Sequence, residues 1–319
     1  MGAGHGHGHG HGHGHGHGHA GGHTGGHGHA GGRHRGRLAT AFVLIGGFFV
    51  VELAFGLASG SLALLSDAGH MAADVVALGA ALVATRIAAR PDPTGRRSYG
   101  SYRAEVFASL LAVVLMLGVA VYVAVEAVGR IGGPAGVSSG PMLVVGALGL
   151  AVNVAALLLL RAGAAESLNV KGAYMEVVAD TAGSAGVIVA GWLVAATGQP
   201  FWDTAVALAI GVFVAVRAVS LGRQVFAVLG QHVPAGVDPS AVAADLAAVE
   251  GVRDVHDLHL WTLTSGMNVA TAHLVAADGS DAHAVLDRAR DVLRHRHDIA
   301  HATLQIEPAD HQGCDELGW

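Results

Sequence analysis

Apolar segments long enough to cross a membrane recur along this 319-residue chain. A helix needs about 20 apolar residues to span roughly 30 Å of hydrocarbon. Only 13% of the residues are charged, too few to cover a water-soluble protein of this size. We therefore predict an all-α bundle of six transmembrane helices within the lipid bilayer. The six runs lie at about 38–57, 62–88, 104–130, 141–161, 173–197 and 204–226.

The placement of arginine and lysine predicts the orientation of the bundle. The loops after the first, third and fifth runs carry almost no basic residues. The loops after the second and fourth runs carry several. Because basic short loops stay on the cytoplasmic side, we expect both termini of this multi-pass protein to be cytoplasmic. The 17 arginines against one lysine indicate a high-GC coding bias, from which we predict the cell inner membrane. A signal peptide before a soluble domain is the alternative for the first run, but five further runs argue against it. The basic residues that carry the orientation are Arg90, Arg96, Arg97, Arg161, Lys171 and, at the end of the sixth run, Arg217 and Arg223.

The N-terminal segment, residues 1–36, is a Gly-His repeat with almost no apolar side chains. Such a composition cannot form a core, so a disordered cytoplasmic tail is predicted. Imidazole binds Zn, Cu, Ni and Co, and a flexible backbone can bring several rings onto one ion, so the tail is interpreted as a metal collector. An affinity tag is the alternative, although the histidines are dispersed rather than consecutive.

The pattern changes after about residue 228. Two helical stretches, 239–249 and 282–295, alternate with strand-like runs at 252–264, 268–276 and 302–308. This αββαβ order predicts a cytoplasmic α+β domain over residues 229–310, with antiparallel strands and both helices on one side. The transmembrane domain then covers 37–228. A flexible tail, 311–319, holds the only cysteine, Cys314, which is either a free thiol or a metal ligand.

Ionisable residues inside the spans indicate a metal site. His70 and Asp74 lie at i and i+4 in the second run, and Glu176 and Asp180 repeat that spacing in the fifth. Each pair occupies one helix face. Tetrahedral zinc accepts imidazole nitrogen and carboxylate oxygen, so two facing pairs supply four ligands. Interhelical hydrogen bonds are the alternative use of such residues.

Metal and protons would compete for this site. Three carboxylates without the ion would crowd together away from water, so protons are expected to replace the metal and to drive an exchange. Asp67, on the same face as His70, is either a pathway carboxylate that supports the ligands or a helix cap. Glu52 in the first run and Asn153 in the fourth either stabilise helix packing or take part in the pathway.

Other classes of protein fit the sequence less well. A formal net charge of −6 and the lack of a basic stripe disfavour nucleic-acid binding. A membrane metallohydrolase would keep an open metal position, and the sequence has no HExxH motif, so we expect neither an enzyme nor a bound cofactor. A membrane-anchored metal sensor or storage scaffold, which would use the His-rich tail and the soluble domain, remains the alternative to transport.

Four stretches of the sequence resemble the cation diffusion facilitator family. They are SGSLALLSDAGHMAADVVALG, RSYGSYRAEVFASL, NVKGAYMEVVADTAGSAGVIVAG and VHDLHLWTLTSG, and the resemblance runs from Leu38 to Pro308. It implies an exporter of zinc or a related metal that works as a proton antiporter by alternating access. It also implies a homodimer whose cytoplasmic domain is ferredoxin-like.

The resemblance also assigns residues to sites. It places transport ligands at His70, Asp74 and Asp180, and a fourth at Glu176, where many family members have histidine. A carboxylate there makes the site harder, so Co²⁺, Cd²⁺, Ni²⁺ and Mn²⁺ remain open beside Zn²⁺. In the cytoplasmic domain, the family's use of histidine and acidic residues points to further metal ligands at His232, His256, His273 and Glu307, with Asp257, His259 and Gln305 nearby.

Overall fold

A computed structural model of the chain describes residues 30–88, 95–130, 136–164, 168–264 and 266–310. The His-rich repeat before residue 30, Arg90 and Cys314 lie outside these ranges. Within them, each of the six apolar runs falls in one long helix. The helices are α1 (Ala30–Ser59), α2 (Leu62–Ala88), α3 (Ala104–Gly129), α4 (Ser139–Ala164), α5 (Leu168–Thr197) and α6 (Phe201–Leu229).

Helix α1 begins earlier than the sequence predicted. It starts at Ala30, so residues 30–36, assigned above to the disordered tail, are helical. Extending an existing helix adds one hydrogen bond for each residue fixed, which costs far less than nucleating a new one. The apolar span therefore supports helical residues that have no apolar face of their own.

Apolar side chains cover the outer surface of the helical bundle and also fill its interior. Within the described ranges, five helices (α1 and α3 to α6) are long and apolar enough to cross a membrane, while α2 carries Asp67, His70 and Asp74. Val121, Trp192 and Val212 are each more than 60% exposed on the outer surface. An apolar surface of this kind is favourable against lipid and unfavourable in water. The chain is therefore a multi-pass membrane protein.

Helix α2 lies at the centre of the packing, against α1, α3, α5 and α6. Its start is fixed by Ser61, whose hydroxyl accepts a hydrogen bond from the Leu64 amide as an N-cap. Asp203, buried at the start of α6, accepts hydrogen bonds from the amides of Leu62 and Ala63 at 2.8 and 3.1 Å. The first amides of α2 thus find acceptors away from water.

The last part of the described chain forms a small α/β domain. Helices α7 (Pro239–Ala247) and α8 (Ala282–Arg296) pack on one face of a sheet with order β1 (Val252–Thr264), β2 (Met267–Ala276), β3 (His301–Glu307). The predicted order of elements and the placement of both helices are confirmed. The prediction of wholly antiparallel strands is wrong, because β2 and β3 run parallel. Helix α8 carries the chain back across the sheet, and such a crossover joins parallel neighbours.

The sheet contacts the helical bundle at its edge. At the end of β1, the Thr264 hydroxyl donates a 3.1 Å hydrogen bond to the Glu105 carboxylate in the first turn of α3. Tyr99, before α3, places its ring edge-on to His301 of β3, with centroids 5.7 Å apart. The domain is therefore attached to α3 as well as to α6, from which it continues.

Candidate metal centres

The first candidate centre lies between α2 and α5 in the bundle. His70, Asp74 and Asp180 each offer a ligand atom, and these atoms lie within 4.8 Å of one another. His70 Nε2 is 3.7 Å from Asp74 Oδ2 and 3.6 Å from Asp180 Oδ1. His70 and Asp180 are buried, and Asp74 is partly exposed. One imidazole and two carboxylates at this spacing suit a divalent transition metal.

Glu176, the fourth predicted ligand, lies outside this cluster. It stands one helical turn before Asp180 on α5, but its carboxylate is half exposed and pairs with the Arg217 guanidinium of α6. Arg217 also reaches into the cluster, where its Nη1 lies 2.8 Å from His70 Nε2. The structure therefore brings three of the four predicted ligands together and places an arginine between His70 and Glu176.

Sequence reasoning missed Arg217 as a residue of this site. It was read as a positive charge at the end of the sixth span, but α6 continues to Leu229, about three turns further. The guanidinium carbon lies 5.9 Å from the centre of the Phe213 ring, which packs edge-on to His70. A charge inside an apolar run was the available signal, because such residues usually mark a functional site.

Further polar residues are buried beside the cluster. Glu52 and Asp67 are fully buried. Asn153 donates a 3.2 Å hydrogen bond from Nδ2 to Ser184 Oγ on α5. The cap interpretation of Asp67 is wrong, since α2 begins at Leu62 and Asp67 lies in its second turn.

A second candidate centre lies on the face of the sheet away from α7 and α8. His256, His273 and Glu307, one from each strand, have ligand atoms within 4.8 Å of one another. The His256 and His273 positions are direct partners across β1 and β2. Glu307 is buried, and its carboxylate lies 3.0 Å from His273 Nδ1 and 3.4 Å from His256 Nε2.

The sheet also explains where the neighbouring polar residues lie. Asp257 has a φ of +51° at a break in the β1 register, and its carboxylate lies 2.9 Å from His259 Nε2 and 3.8 Å from His273 Nε2. Such a bulge redirects a side chain. Gln305 donates a 2.8 Å hydrogen bond to Glu307, which orients that carboxylate. His232 is exposed in the turn after α6 and belongs to neither cluster.

Apolar helices around a buried imidazole-carboxylate cluster define a membrane protein with a candidate site for a divalent metal ion. The chain belongs to the cation efflux family: residues 38–229 match the family's transmembrane domain, and residues 234–309 match its cytoplasmic domain. This is the family of transporters that the sequence motifs resemble, so that prediction is confirmed.

Relatives match along most of their length. The chain is 40% identical to the metal cation efflux system protein CzcD of Cupriavidus metallidurans, over 87% of this chain and 88% of the relative. It is 30% identical to a cadmium, cobalt and zinc/H(+)-K(+) antiporter of Bacillus subtilis, over 86% and 89%. It is 32% identical to the zinc transporter ZitB of Escherichia coli, over 88% and 89%. A solved metal-bound C-terminal domain of the Cupriavidus CzcD transporter is 38% identical over 22% of this chain and 99% of that one, with a TM-score of 0.22.

Proposed function

We propose that this protein exports divalent transition-metal ions, Zn²⁺ first among them, from the cytoplasm in exchange for protons. The observation that carries the proposal is the cluster of His70, Asp74 and Asp180 inside a bundle of apolar helices. Intramembrane ionisable residues that face one another usually serve transport. The relative named as a metal cation efflux protein supports this direction. The relatives named as a cadmium, cobalt and zinc/H(+)-K(+) antiporter and as a zinc transporter support this ion class and the exchange.

Exchange for protons follows from the chemistry of the ligands. Metal binds the deprotonated forms of carboxylate and imidazole, so a proton and the ion compete for the same atoms. When the ion leaves, two carboxylates and an imidazole less than 4.8 Å apart are stabilised by taking up protons. One set of residues can therefore bind metal on one side of the membrane and protons on the other.

The ligand positions also support alternating access. His70 and Asp74 come from α2, and Asp180 comes from α5, so small movements between these helices would open the site to one side at a time. We propose six membrane-spanning helices, with α2 as the span that carries the ligands. Both termini are then in the cytoplasm, in accord with the basic loops. The metal-collecting tail at 1–36 and the segment 311–319 flank domains at 37–228 and 229–310.

We further assign a metal-binding role in the cytoplasm to His256, His273 and Glu307. Their donors match the preference of Zn²⁺ for imidazole and carboxylate, and Gln305 orients the carboxylate as outer partners of metal ligands do. The domain is proposed to be ferredoxin-like and to join two copies of the chain, as the resemblance implies and as the match to a dimerising cytoplasmic domain supports.

Zn²⁺ uptake into inside-out proteoliposomes under an imposed pH gradient tests the proposal. Asp74→Ala and Asp180→Ala should each abolish uptake, because each removes a ligand. Glu126→Gln, a partly exposed carboxylate on α3 that pairs with Arg130, is the matched control and should transport normally. Uptake that persists in both ligand variants would exclude this site.

A sensor or storage scaffold is the second candidate, favoured by the cluster on the sheet. Both candidates predict metal binding, but only a transporter moves the ion across a membrane. Wild-type vesicles that bind Zn²⁺ and accumulate none inside, with the pH gradient intact, would favour this second function.

A further inference from the structure

Arg217 and His70 approach each other in a way that fixes which imidazole nitrogen carries the proton. A guanidinium has only N–H donors and no acceptor. At 2.8 Å from Arg217 Nη1, His70 Nε2 must therefore be the acceptor, and the proton lies on Nδ1. Nε2 is also the His70 atom that faces the two carboxylates, at 3.7 and 3.6 Å.

We propose that Arg217 is a tethered cation that competes with the transported metal for His70 and holds Glu176 out of the ligand set. The inference rests on the proposed function and concerns how the same site selects and releases its ion. In the metal-free site Arg217 occupies the His70 lone pair. A metal ion binds only when the guanidinium withdraws.

The competition follows from the capacity of a single lone pair. His70 Nε2 has one, and it either accepts the hydrogen bond from Arg217 or coordinates a metal ion. Metal–nitrogen bonds of about 2.0–2.1 Å would also bring a divalent ion close to the guanidinium charge. Like charges at such distances repel strongly where water is scarce. Arg217 and the ion therefore exclude each other at this atom.

Glu176 gives the guanidinium a second anchor. The chain turns back between α5 and α6, so the early turns of α5 lie beside the later part of α6, next to the cytoplasmic domain. Glu176 is one turn nearer that end of the bundle than Asp180, and it is half exposed. Arg217 thus stands on the domain side of the three clustered ligands, between them and Glu176.

This arrangement gives Glu176 a role during metal exchange rather than a place among the clustered ligands of the metal-free site. While Arg217 is in place, Glu176 is neutralised by the guanidinium and the site offers three ligands. When a metal ion displaces Arg217, the Glu176 carboxylate is released on the side nearest the domain. Return of Arg217 to His70 then favours loss of the ion, so the arginine weakens binding and speeds release.

Transport kinetics of the full-length protein test the competition. The variants Arg217→Gln and Arg217→Lys are reconstituted, and Zn²⁺ uptake is measured as KM and kcat separately. Removing the competing charge should lower KM for Zn²⁺ roughly ten-fold or more and reduce kcat, since the ion is held longer. Lysine keeps the charge but lacks the planar fork that reaches His70 and Glu176 together, so its KM should fall between the other two.

Arg223→Gln is the matched control. This exposed arginine is on the same helix, nearer its end, and its loss should leave KM unchanged. A purely structural role for Arg217 would lower kcat without lowering KM. A KM equal to or above that of the wild type in Arg217→Gln overturns the inference, and Arg217→Lys decides in the same way if the glutamine variant does not elute as a folded protein.

Asp180→Ala, measured in parallel, separates this inference from the proposed function. Uptake that survives in Asp180→Ala contradicts the transport site itself. Loss of uptake in Asp180→Ala together with an unchanged KM in Arg217→Gln contradicts only the role of the arginine.

Discussion

Asp203 Oδ1 accepts a 2.6 Å hydrogen bond from the Ser61 hydroxyl, which joins the start of α6 to the start of α2. The same carboxylate accepts hydrogen bonds from two α2 amides. It also lies 3.4 Å from Nη1 of Arg130, the residue that directly follows α3. Arg130 also donates to the Gly60 carbonyl at 2.9 Å. Three helix ends are thus held together by one fully buried carboxylate, at the opposite end of α6 from the cytoplasmic domain.

Replacing Asp203 by alanine should destabilise the protein markedly. The change removes hydrogen bonds to a charged acceptor and leaves buried donors unpaired, which should lower the free energy of unfolding by about 3 kcal/mol. Thermal unfolding in detergent should show a Tm lower by roughly 5–10 °C. Asp238→Ala, which removes an exposed cap of α7, is the control and should cost only about 1 kcal/mol. Equal losses in the two variants would contradict the special role of Asp203.

Gly183 provides a second test of packing inside the bundle. A Cβ atom at this position would lie 2.3 Å from Asp67 Oδ1, closer than any real contact, whereas at Gly186 on the same helix it would lie 3.5 Å from Val206 Cγ1. Gly183→Ala should therefore cost about 1–3 kcal/mol, since the carboxyl or the helix must move. Gly186→Ala should be nearly neutral. Thermal unfolding of the two variants side by side distinguishes them, and equal Tm values would show that Asp67 moves aside freely.

These residues also show how far sequence reasoning could reach. His70, Asp74 and Asp180 could be predicted because each belongs to a pair of ionisable residues at i and i+4 on an apolar helix. The contacts from Arg217 to His70 and from Asp203 to Ser61 join residues more than 140 positions apart. Helical periodicity determines which face a residue occupies, but not which distant helix that face meets. The parallel pairing of β3 was missed for a related reason, since strand direction depends on where α8 returns the chain.

Metal affinity should weaken as the pH falls. Binding requires deprotonated Asp74 and Asp180 and the free lone pair of His70, so each proton released on binding changes the affinity by about ten-fold per pH unit. We expect KM for Zn²⁺ to rise by at least about that factor when the pH on the ion-binding side falls by one unit. In Zn²⁺ binding measured on the purified protein, Asp74→Asn, which lacks one competing carboxylate, should show a weaker dependence on pH. A KM independent of pH would contradict proton competition at these ligands.

Zn²⁺ should stabilise the sheet by binding the cluster of His256, His273 and Glu307. A ligand present at about 100 times its Kd stabilises the binding state by about 2.7 kcal/mol. Hydrogen exchange of the amides in 252–276 should therefore slow roughly 100-fold on addition of Zn²⁺ to the full-length protein. His273→Ala should lose this protection. His283→Ala, an exposed histidine on α8, should keep it, and protection that survives in His273→Ala would place the ion elsewhere.

The hydrogen bond between Thr264 and Glu105 has a consequence for how events in the sheet reach the membrane. Strand β1 carries His256 in its first half and Thr264 at its end, and α3 packs directly against α2. This bond attaches the end of β1 to the first turn of α3. The cytoplasmic domain is therefore linked to α2, the helix that holds His70, through its contact with α3. This contact is separate from the chain connection through α6.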